Sequence, residues 1–273
     1  RAYGDFFSEK EKWEEARQLY EKAGKIEQND AETLKKQYVI GEKTGKPFDI
    51  HAFTDSNDQE ELQNYGQFFY EQGKWEEARI LYEKSNTAQS DPTTAVSLYN
   101  IALKTGKAAD FTVFTNSSDA YTLDGYANAF KNNALELSGY KTQIPELTNS
   151  VLIREKQLRV DRDKNLARTL SDEYRYLGFC HLFASDGKHA EACLRRALQL
   201  DPHNTNAKVN LVAALLLQNR TQEARTEHDI WKDKPFHASN PKGSTCHDAL
   251  LSDLNALQAQ SITGIDYETV KKW

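Results

Sequence analysis

Four side chains that can ligate a metal ion lie close together in the sequence: Cys180, His181, His189 and Cys193. Thiolates and imidazoles are the ligands that zinc prefers in proteins. Cys180 and His181 are neighbours, however, and consecutive side chains of a helix point in different directions. His181 and Cys193 also stand where a packed pair of helices places core residues. We therefore expect no metal site here and no cofactor in the chain.

No other arrangement of residues predicts a catalytic site. The sequence contains no HExxH, GxGxxG, GxSxG or Walker-type loop. Paired carboxylates recur at Glu14-Glu15 and Glu76-Glu77. They repeat together with the residues around them, as is typical of solvated helix faces. The three cysteines are odd in number and irregularly spaced, so we expect free thiols rather than a disulfide framework. We predict that the chain is not an enzyme.

Composition restricts the class of partner. The 273 residues carry a net charge of −6, with acidic and basic side chains interleaved along the chain. A nucleic acid or an anionic membrane would need a concentrated basic face. The longest apolar run, Leu211 to Leu217, is far shorter than the roughly 18–20 residues of a membrane span. We expect a protein with no nucleic-acid partner and no membrane span, cytoplasmic or, in the alternative, secreted with its leader removed.

An internal repeat decides the fold. The segment YGDFFSEKEKWEEARQLYEK at 3–22 recurs as YGQFFYEQGKWEEARILYEK at 65–84, with fifteen of twenty residues identical. Other matches share an offset of 61 residues: Lys43–Lys46 with Lys104–Lys107, and Phe53 with Phe114. The repeated unit is therefore about 61 residues long, and a third, diverged copy starts near Asp119.

The residues of each unit have helical periodicity. Trp75, Ala78, Leu81 and Tyr82 fall on one face at spacings of three and four. Asp58, with Glu61 three residues later, predicts a capping box at the start of the preceding helix. The short apolar stretches 47–53 and 108–114, which follow Gly45 and Gly106, predict a shortened second helix in each unit. Only 13 Gly and 6 Pro interrupt the chain, so helices are possible almost throughout.

These residues resemble the tetratricopeptide repeat (TPR) family, which stacks antiparallel helix pairs of about 34 residues. The matching residues of the second copy are Tyr65, Gly66, Phe69, Gly73, Trp75, Ala78 and Tyr82. A further match comprises Tyr174, Leu177, Gly178, Ala190, Leu194, Ala197 and Pro202. The resemblance implies an all-α fold, an α-α superhelix of TPR-like pairs. The tail from Asp233 onwards is similar to tails that follow TPR arrays in bacterial proteins, which suggests a bacterial origin.

The predicted organisation has four parts. Residues 1–138 form an N-terminal array of the 61-residue units, and 139–170 form a helical linker. Residues 171–232 form regular TPR pairs. Residues 233–273 form a loop and a C-terminal capping helix, whose apolar stripe is Leu250, Leu251, Leu254 and Leu257.

The resemblance also implies a function. TPR superhelices use the concave face, lined by the first helix of each pair, to hold a peptide or a partner protein. The predicted contact residues are Gln63, Gln67, Tyr70, Tyr121, Asn128, Lys131, Arg175 and Asn210. Arg175 and Asn210 match parts of the clamp with which some TPR proteins hold a terminal carboxylate, but Phe179 stands where that clamp needs Asn. Four apolar positions, Phe179, Leu182, Ala213 and Leu216, are expected to lie beneath the C-terminal helix, with a helix of a partner as the alternative.

The predicted function is a non-enzymatic scaffold for protein–protein interaction. In the alternative, the chain is a regulatory or helper region of a larger enzyme or signalling protein whose active domain lies outside it. The absence of Met, including an initiator Met, keeps that alternative open.

Overall fold

The chain is predominantly helical in the part that the structure, a computed structural model, describes: residues 2–26, 30–46, 49–85, 91–236 and 244–273. It divides into two compact units, Arg1–Phe111 (unit 1) and Thr112–Trp273 (unit 2). The predicted all-α class is confirmed. In the described ranges, extended pairing is limited to one isolated bridge between Pro235 and Thr245.

The helices of unit 1 are α1 (Ala2–Glu9), α2 (Trp13–Ile26), α3 (Ala31–Thr44), α4 (His51–Thr54), α5 (Gln59–Glu71), α6 (Trp75–Ser85) and α7 (Pro92–Lys104). The helices of unit 2 are α8 (Thr112–Thr115), α9 (Ala120–Glu136), α10 (Tyr140–Val160), α11 (Lys164–Phe183), α12 (Gly187–Leu200), α13 (Thr205–Leu217), α14 (Thr221–Trp231), α15 (Cys246–Ala259) and α16 (Tyr267–Val270). The predicted linker at 139–170 contains α10, which packs against both α9 and α11. The fourfold division of the chain stays a prediction. Most of its C-terminal loop, 237–243, lies outside the described residues.

Five pairs of described helices are joined by turns of the same length. Three residues separate the helices of α1–α2, α5–α6, α9–α10, α11–α12 and α13–α14, and each pair packs along its length. In four of these turns the middle residue has a left-handed backbone: Glu11, Gly73, Ser185 and Asn219. So short a connection forces the two helices to run antiparallel.

The two shortened helices, α4 and α8, each insert one phenylalanine into the core. Phe53 and Phe114 are almost fully buried, at 0% and 1% exposure. Phe53 meets the rings of Tyr65 and Phe69 edge-on at centroid distances of 4.9 and 5.0 Å. Phe114 meets Tyr126 and Phe130 at 5.1 Å each. The 61-residue offset of the sequence therefore corresponds to the same aromatic triad in both units. The start of the first apolar stretch, at 47–48, lies outside the described residues.

Aspartates cap the helices at the same repeat positions. Asp30, Asp58, Asp91 and Asp119 each accept a hydrogen bond from the backbone N–H three residues later. The capping box predicted at Asp58 forms only in part. Glu61 donates its N–H to Asp58 at 3.0 Å, but its carboxylate accepts from the hydroxyl of Tyr65 at 2.7 Å. The N–H of Asp58 donates to the hydroxyl of Ser56 instead.

Glycines allow the helices of a pair to approach closely. A Cβ at Gly66 would lie 2.8 Å from the ring of Tyr82, and a Cβ at Gly4 would lie 2.7 Å from the ring of Tyr20. These distances are well below van der Waals contact, so a larger residue at either position forces the tyrosine to move.

We expect Gly66→Ala to lower the free energy of unfolding. Overpacking costs about 1–3 kcal/mol, and all but the lowest of these values exceed the ~1 kcal/mol that Ala gains over Gly within a helix. In a Tyr82→Ala background the ring is gone, so the same substitution should become stabilising. Urea unfolding of the four proteins measures both effects. The packing explanation fails if Gly66→Ala has the same sign in both backgrounds.

Candidate functional site

A groove lies along α3, between α1 and α5, in unit 1. It encloses about 220 Å³ and is lined by Ser8, Tyr20, Glu32, Lys35, Lys36, Val39, Ile40 and Phe68. We call it the α3 groove. Val39 is 36% exposed, whereas Ile40 and Tyr20 are each 2% exposed and belong to the core. The ring of Phe68 packs edge-on against Tyr38, with 5.8 Å between centroids. The groove therefore presents an accessible apolar surface above buried core residues.

Ionic contacts fix the α1 side of the α3 groove. The ammonium of Lys36 lies 2.6 Å from Asp5 and 2.9 Å from Glu32. Asp5 also accepts a 2.6 Å hydrogen bond from the hydroxyl of Tyr20. The bonds from Lys36 and Tyr20 hold the pKa of Asp5 below its usual value. This cluster joins α1, α2 and α3, so that the edge of the groove is set by three helices.

Lys35 supplies a cation at the α5 side of the groove. Its ammonium lies 5.6 Å from the ring centroid of Phe68 and 5.9 Å from that of Tyr65. In the described ranges no ion pair involves Lys35. Lys35 also borders an adjoining polar recess of about 470 Å³, whose other lining residues are Ala31, Asp58, Glu60, Glu61 and Asn64. The apolar surface of the α3 groove is thus adjacent to the carboxylates and the amide of the polar recess.

The contact residues predicted on α5 lie outside the lining of the α3 groove. Gln63 donates to the hydroxyl of Thr94 on α7 at 3.0 Å. Gln67 donates to Glu71 at 2.9 Å and accepts from the hydroxyl of Tyr82 at 3.0 Å. Tyr70 packs edge-on against Trp75, with 5.1 Å between centroids. Both glutamine side chains therefore make hydrogen bonds within unit 1.

The contact residues predicted on α9 have different environments. Tyr121 is 87% exposed. Asn128 donates to Asp124 at 2.8 Å and accepts from Arg154. Lys131 lies 3.3 Å from the carboxylate of Glu173. Tyr121 is thus open to solvent, whereas Asn128 and Lys131 belong to a network that reaches into the core.

That network centres on an ion pair between Arg154 of α10 and Glu173 of α11. Their side chains are each 3% exposed, and Arg154 Nε lies 3.0 Å from Glu173 Oε1. Arg154 also bonds to Asp124 and donates to Gln157 at 2.9 Å. Ser150 donates to the carbonyl of Ala127 at 2.9 Å. The charges are paired across three helices, which accounts for their burial without a catalytic role.

The remaining predicted residues are Arg175 on α11, whose charge acts on Asp253 of α15, and Asn210 on α13, the helix against which α15 packs. Asn210 is 3% exposed, and the Nε of Arg175 is buried with no hydrogen-bond partner among the described residues. Burial raises the pKa of Asp253 on α15 to about 6, although the charge of Arg175 lowers it. A ligand could reach Asn210 only if neighbouring elements moved.

Helix α15 packs against α13. Leu182, Ala213 and Leu216, three of the four positions expected beneath it, are at most 3% exposed. They share one core cluster with Leu250, Leu254 and Leu257 of the predicted stripe on α15, whereas Leu251 is outside that cluster; Phe179 packs against the cluster. This face of unit 2 is therefore occupied by the chain itself.

The residues Lys35, Val39 and Phe68 were not predicted as contacts. A signal for Val39 was present: Tyr38, Val39 and Ile40 are consecutive apolar residues of one helix. A helix cannot turn three consecutive side chains toward one core, so one of them had to lie at the surface.

No helix of the described residues combines the length and apolarity that a membrane span requires.

Comparisons with known proteins return only solved structures: no family model and no curated protein matches the chain. A thermophilic TPR protein of Thermus thermophilus is 15% identical, with 76% of this chain and all (100%) of that chain covered and a TM-score of 0.32. The TPR2AB domain of yeast Sti1, solved as a complex with pHSP90, is 15% identical over 96% of this chain and 97% of that one, with a TM-score of 0.32. The C-terminal part of a TPR repeat-containing protein of Cytophaga hutchinsonii is 14% identical over 94% and 95%, with a TM-score of 0.37. Likenesses of this size establish neither a shared fold nor a shared function; what the structure itself shows is a series of antiparallel helix pairs.

Proposed function

We propose that the chain is a non-enzymatic scaffold that binds a peptide segment of a partner protein in the α3 groove. The observation that carries the proposal is an accessible apolar surface, Val39 and Phe68, beside the cation of Lys35. Apolar area removed from water supplies most of the affinity of such contacts, and a few charged groups set the orientation of the ligand.

The lining residues favour a particular ligand chemistry. One apolar side chain of the peptide would cover Val39 and Phe68. An acidic group next to it would lie near Lys35, which makes no ion pair in the described ranges. The peptide backbone would then reach the carboxylates and the amide of the polar recess, Asp58, Glu60 and Asn64. Tyr121, the most exposed contact predicted on α9, remains a separate predicted contact of unit 2.

We expect Val39→Glu to weaken peptide binding by at least tenfold, because it places a negative charge on the surface that the apolar side chain must cover. Peptides would be selected from a displayed library of random linear sequences on the full chain, and dissociation constants measured by fluorescence anisotropy. A tenfold change corresponds to about 1.4 kcal/mol, which is well within the cost of losing one apolar contact.

Ile80→Glu is the matched control. Ile80 is 38% exposed, close to the 36% of Val39, but it lies on α6 and outside the groove. It should leave binding unchanged, and both variants should keep the helical circular dichroism of the parent. The proposal is wrong if no peptide is selected, or if the two variants weaken binding equally. Activity that appears only in a longer protein containing this chain would favour the helper-region alternative.

A further inference from the structure

The turn between α11 and α12 brings two imidazoles and a carboxylate together. His181 lies in the last turn of α11, Asp186 caps α12, and His189 lies in its first turn. Asp186 Oδ2 lies 2.6 Å from Nδ1 of His189 and 3.6 Å from Nδ1 of His181. One ligand atom from each of the three residues lies within 4.8 Å of the others. The sequence predicts that His181 packs in the core; the structure also places its ring beside Asp186 and His189.

The three groups form a donor set that transition metals accept. Imidazole nitrogen and carboxylate oxygen bind Zn²⁺ at about 2.0–2.2 Å, which separates the ligand atoms of a tetrahedral site by about 3.4 Å. The distance between His181 and Asp186 is already near that value. The distance between His189 and Asp186 must widen by about 0.8 Å to reach the same tetrahedral spacing. His189 is 70% exposed, so its side chain can rotate without disturbing the core.

The backbone of the turn holds the carboxylate in place. Asp186 Oδ1 accepts the N–H of His189 at 3.1 Å as the cap of α12, which leaves Oδ2 to face the two rings. The N–H of Asp186 donates to the carbonyl of His181 at 2.9 Å. The rings of His181 and His189 are stacked, with 5.4 Å between centroids. The donors are therefore preorganised by the same kind of turn that joins the other helix pairs.

Nδ1 of His181 has only a long contact with the carboxylate beside it. This nitrogen is buried, and its contact in the described residues is Asp186 Oδ2 at 3.6 Å, longer than a normal hydrogen bond, while the side chain of His181 as a whole is 13% exposed. When the turns are aligned on their left-handed middle residues, Phe69 and Leu215 stand at the place of His181. These residues are apolar and buried. An imidazole at such a place buries a polar atom whose contact with Asp186 is longer than a hydrogen bond, and a bound ion would satisfy it better.

We propose that His181, Asp186 and His189 form a binding site for a divalent transition-metal ion, for which Zn²⁺ is the probe. The remaining coordination positions of the ion would face solvent beside His189 and be filled by water. Mg²⁺ and Ca²⁺, which prefer oxygen ligands, should bind poorly to this set.

Isothermal titration of the full chain with ZnCl₂ tests the site. We expect one ion per chain, an increase in Tm with Zn²⁺, and neither effect with Mg²⁺. His189→Ala and His181→Leu should each weaken Zn²⁺ binding by at least tenfold, since loss of even an outer-sphere partner costs about 10–100-fold. His181→Leu adopts the residue type found at the equivalent turn of α13, and His189 is largely exposed, so both variants should fold.

A second pair of histidines supplies the control. Nε2 of His228 lies 2.9 Å from Nδ1 of His247, so this pair is a competing place for a metal. His247→Ala and Cys193→Ser should leave Zn²⁺ binding unchanged. The site is excluded if the full chain binds no Zn²⁺, if His189→Ala binds it as well as the parent does, or if His247→Ala abolishes binding.

Discussion

Replacing Arg154 by leucine should lower the free energy of unfolding by about 3–5 kcal/mol, because it leaves the carboxylate of Glu173 buried without its main partner. Both side chains are 3% exposed, and they lie 3.0 Å apart. Lys131, 3.3 Å from Glu173, can compensate only in part, since it is itself 36% exposed and partly hydrated. Urea unfolding followed by circular dichroism measures the loss.

The double variant Arg154→Leu/Glu173→Leu separates ion pairing from general damage to the core. A buried ion pair replaced by apolar residues is often neutral or stabilising. The double variant should therefore lie within about 1 kcal/mol of the parent and be more stable than either single variant. A double variant as unstable as the sum of the two single changes would show that Arg154 and Glu173 do not act as a pair.

Phe53→Ala and Phe114→Ala should each lower the free energy of unfolding by about 3–5 kcal/mol, the usual cost of removing a buried phenylalanine. The two rings are 0% and 1% exposed and meet equivalent aromatic partners at nearly equal distances. The losses should therefore be similar, although one ring belongs to unit 1 and the other to unit 2. Hydrogen exchange followed by mass spectrometry reports the loss of protection in each unit separately.

Val113→Ala provides the control for Phe114→Ala. Val113 is the neighbouring residue of α8 and is 55% exposed, so its truncation should change stability by less than about 0.5 kcal/mol. If Phe53→Ala lowers the free energy of unfolding and Phe114→Ala does not, the phenylalanines of α4 and α8 do not stabilise their units equally.

The repeat allowed much of the fold to be predicted. Fifteen identical residues in twenty, together with Phe53 and Phe114 at the 61-residue offset, were enough to predict helix pairs and the shortened helices. Local sequence determines these features, because periodicity, a left-handed turn residue and an aspartate cap all act within a few residues. The predicted capping box at Asp58 was wrong for the side chain of Glu61. The N–H of Asp58 donates to the hydroxyl of Ser56, and the carboxylate of Glu61 accepts from the hydroxyl of Tyr65.

Contacts between distant residues could not be predicted in the same way. Arg154 meets partners that lie 19 and 30 residues away on other helices, and no local pattern marks the pair with Glu173. The α3 groove depends on the spacing of three helices, which side-chain periodicity does not give. The cluster of His181 with His189 arises because a three-residue turn returns α12 alongside α11.

The most direct test of the α3 groove is methyl NMR of the full chain, titrated with a selected peptide. With valine and isoleucine methyls labelled, the signals of Val39 should shift as the peptide binds, while those of Ile80 on α6 should stay in place. Shifts at Ile80 without shifts at Val39 would contradict the account, because the peptide would then be held on a different face of unit 1.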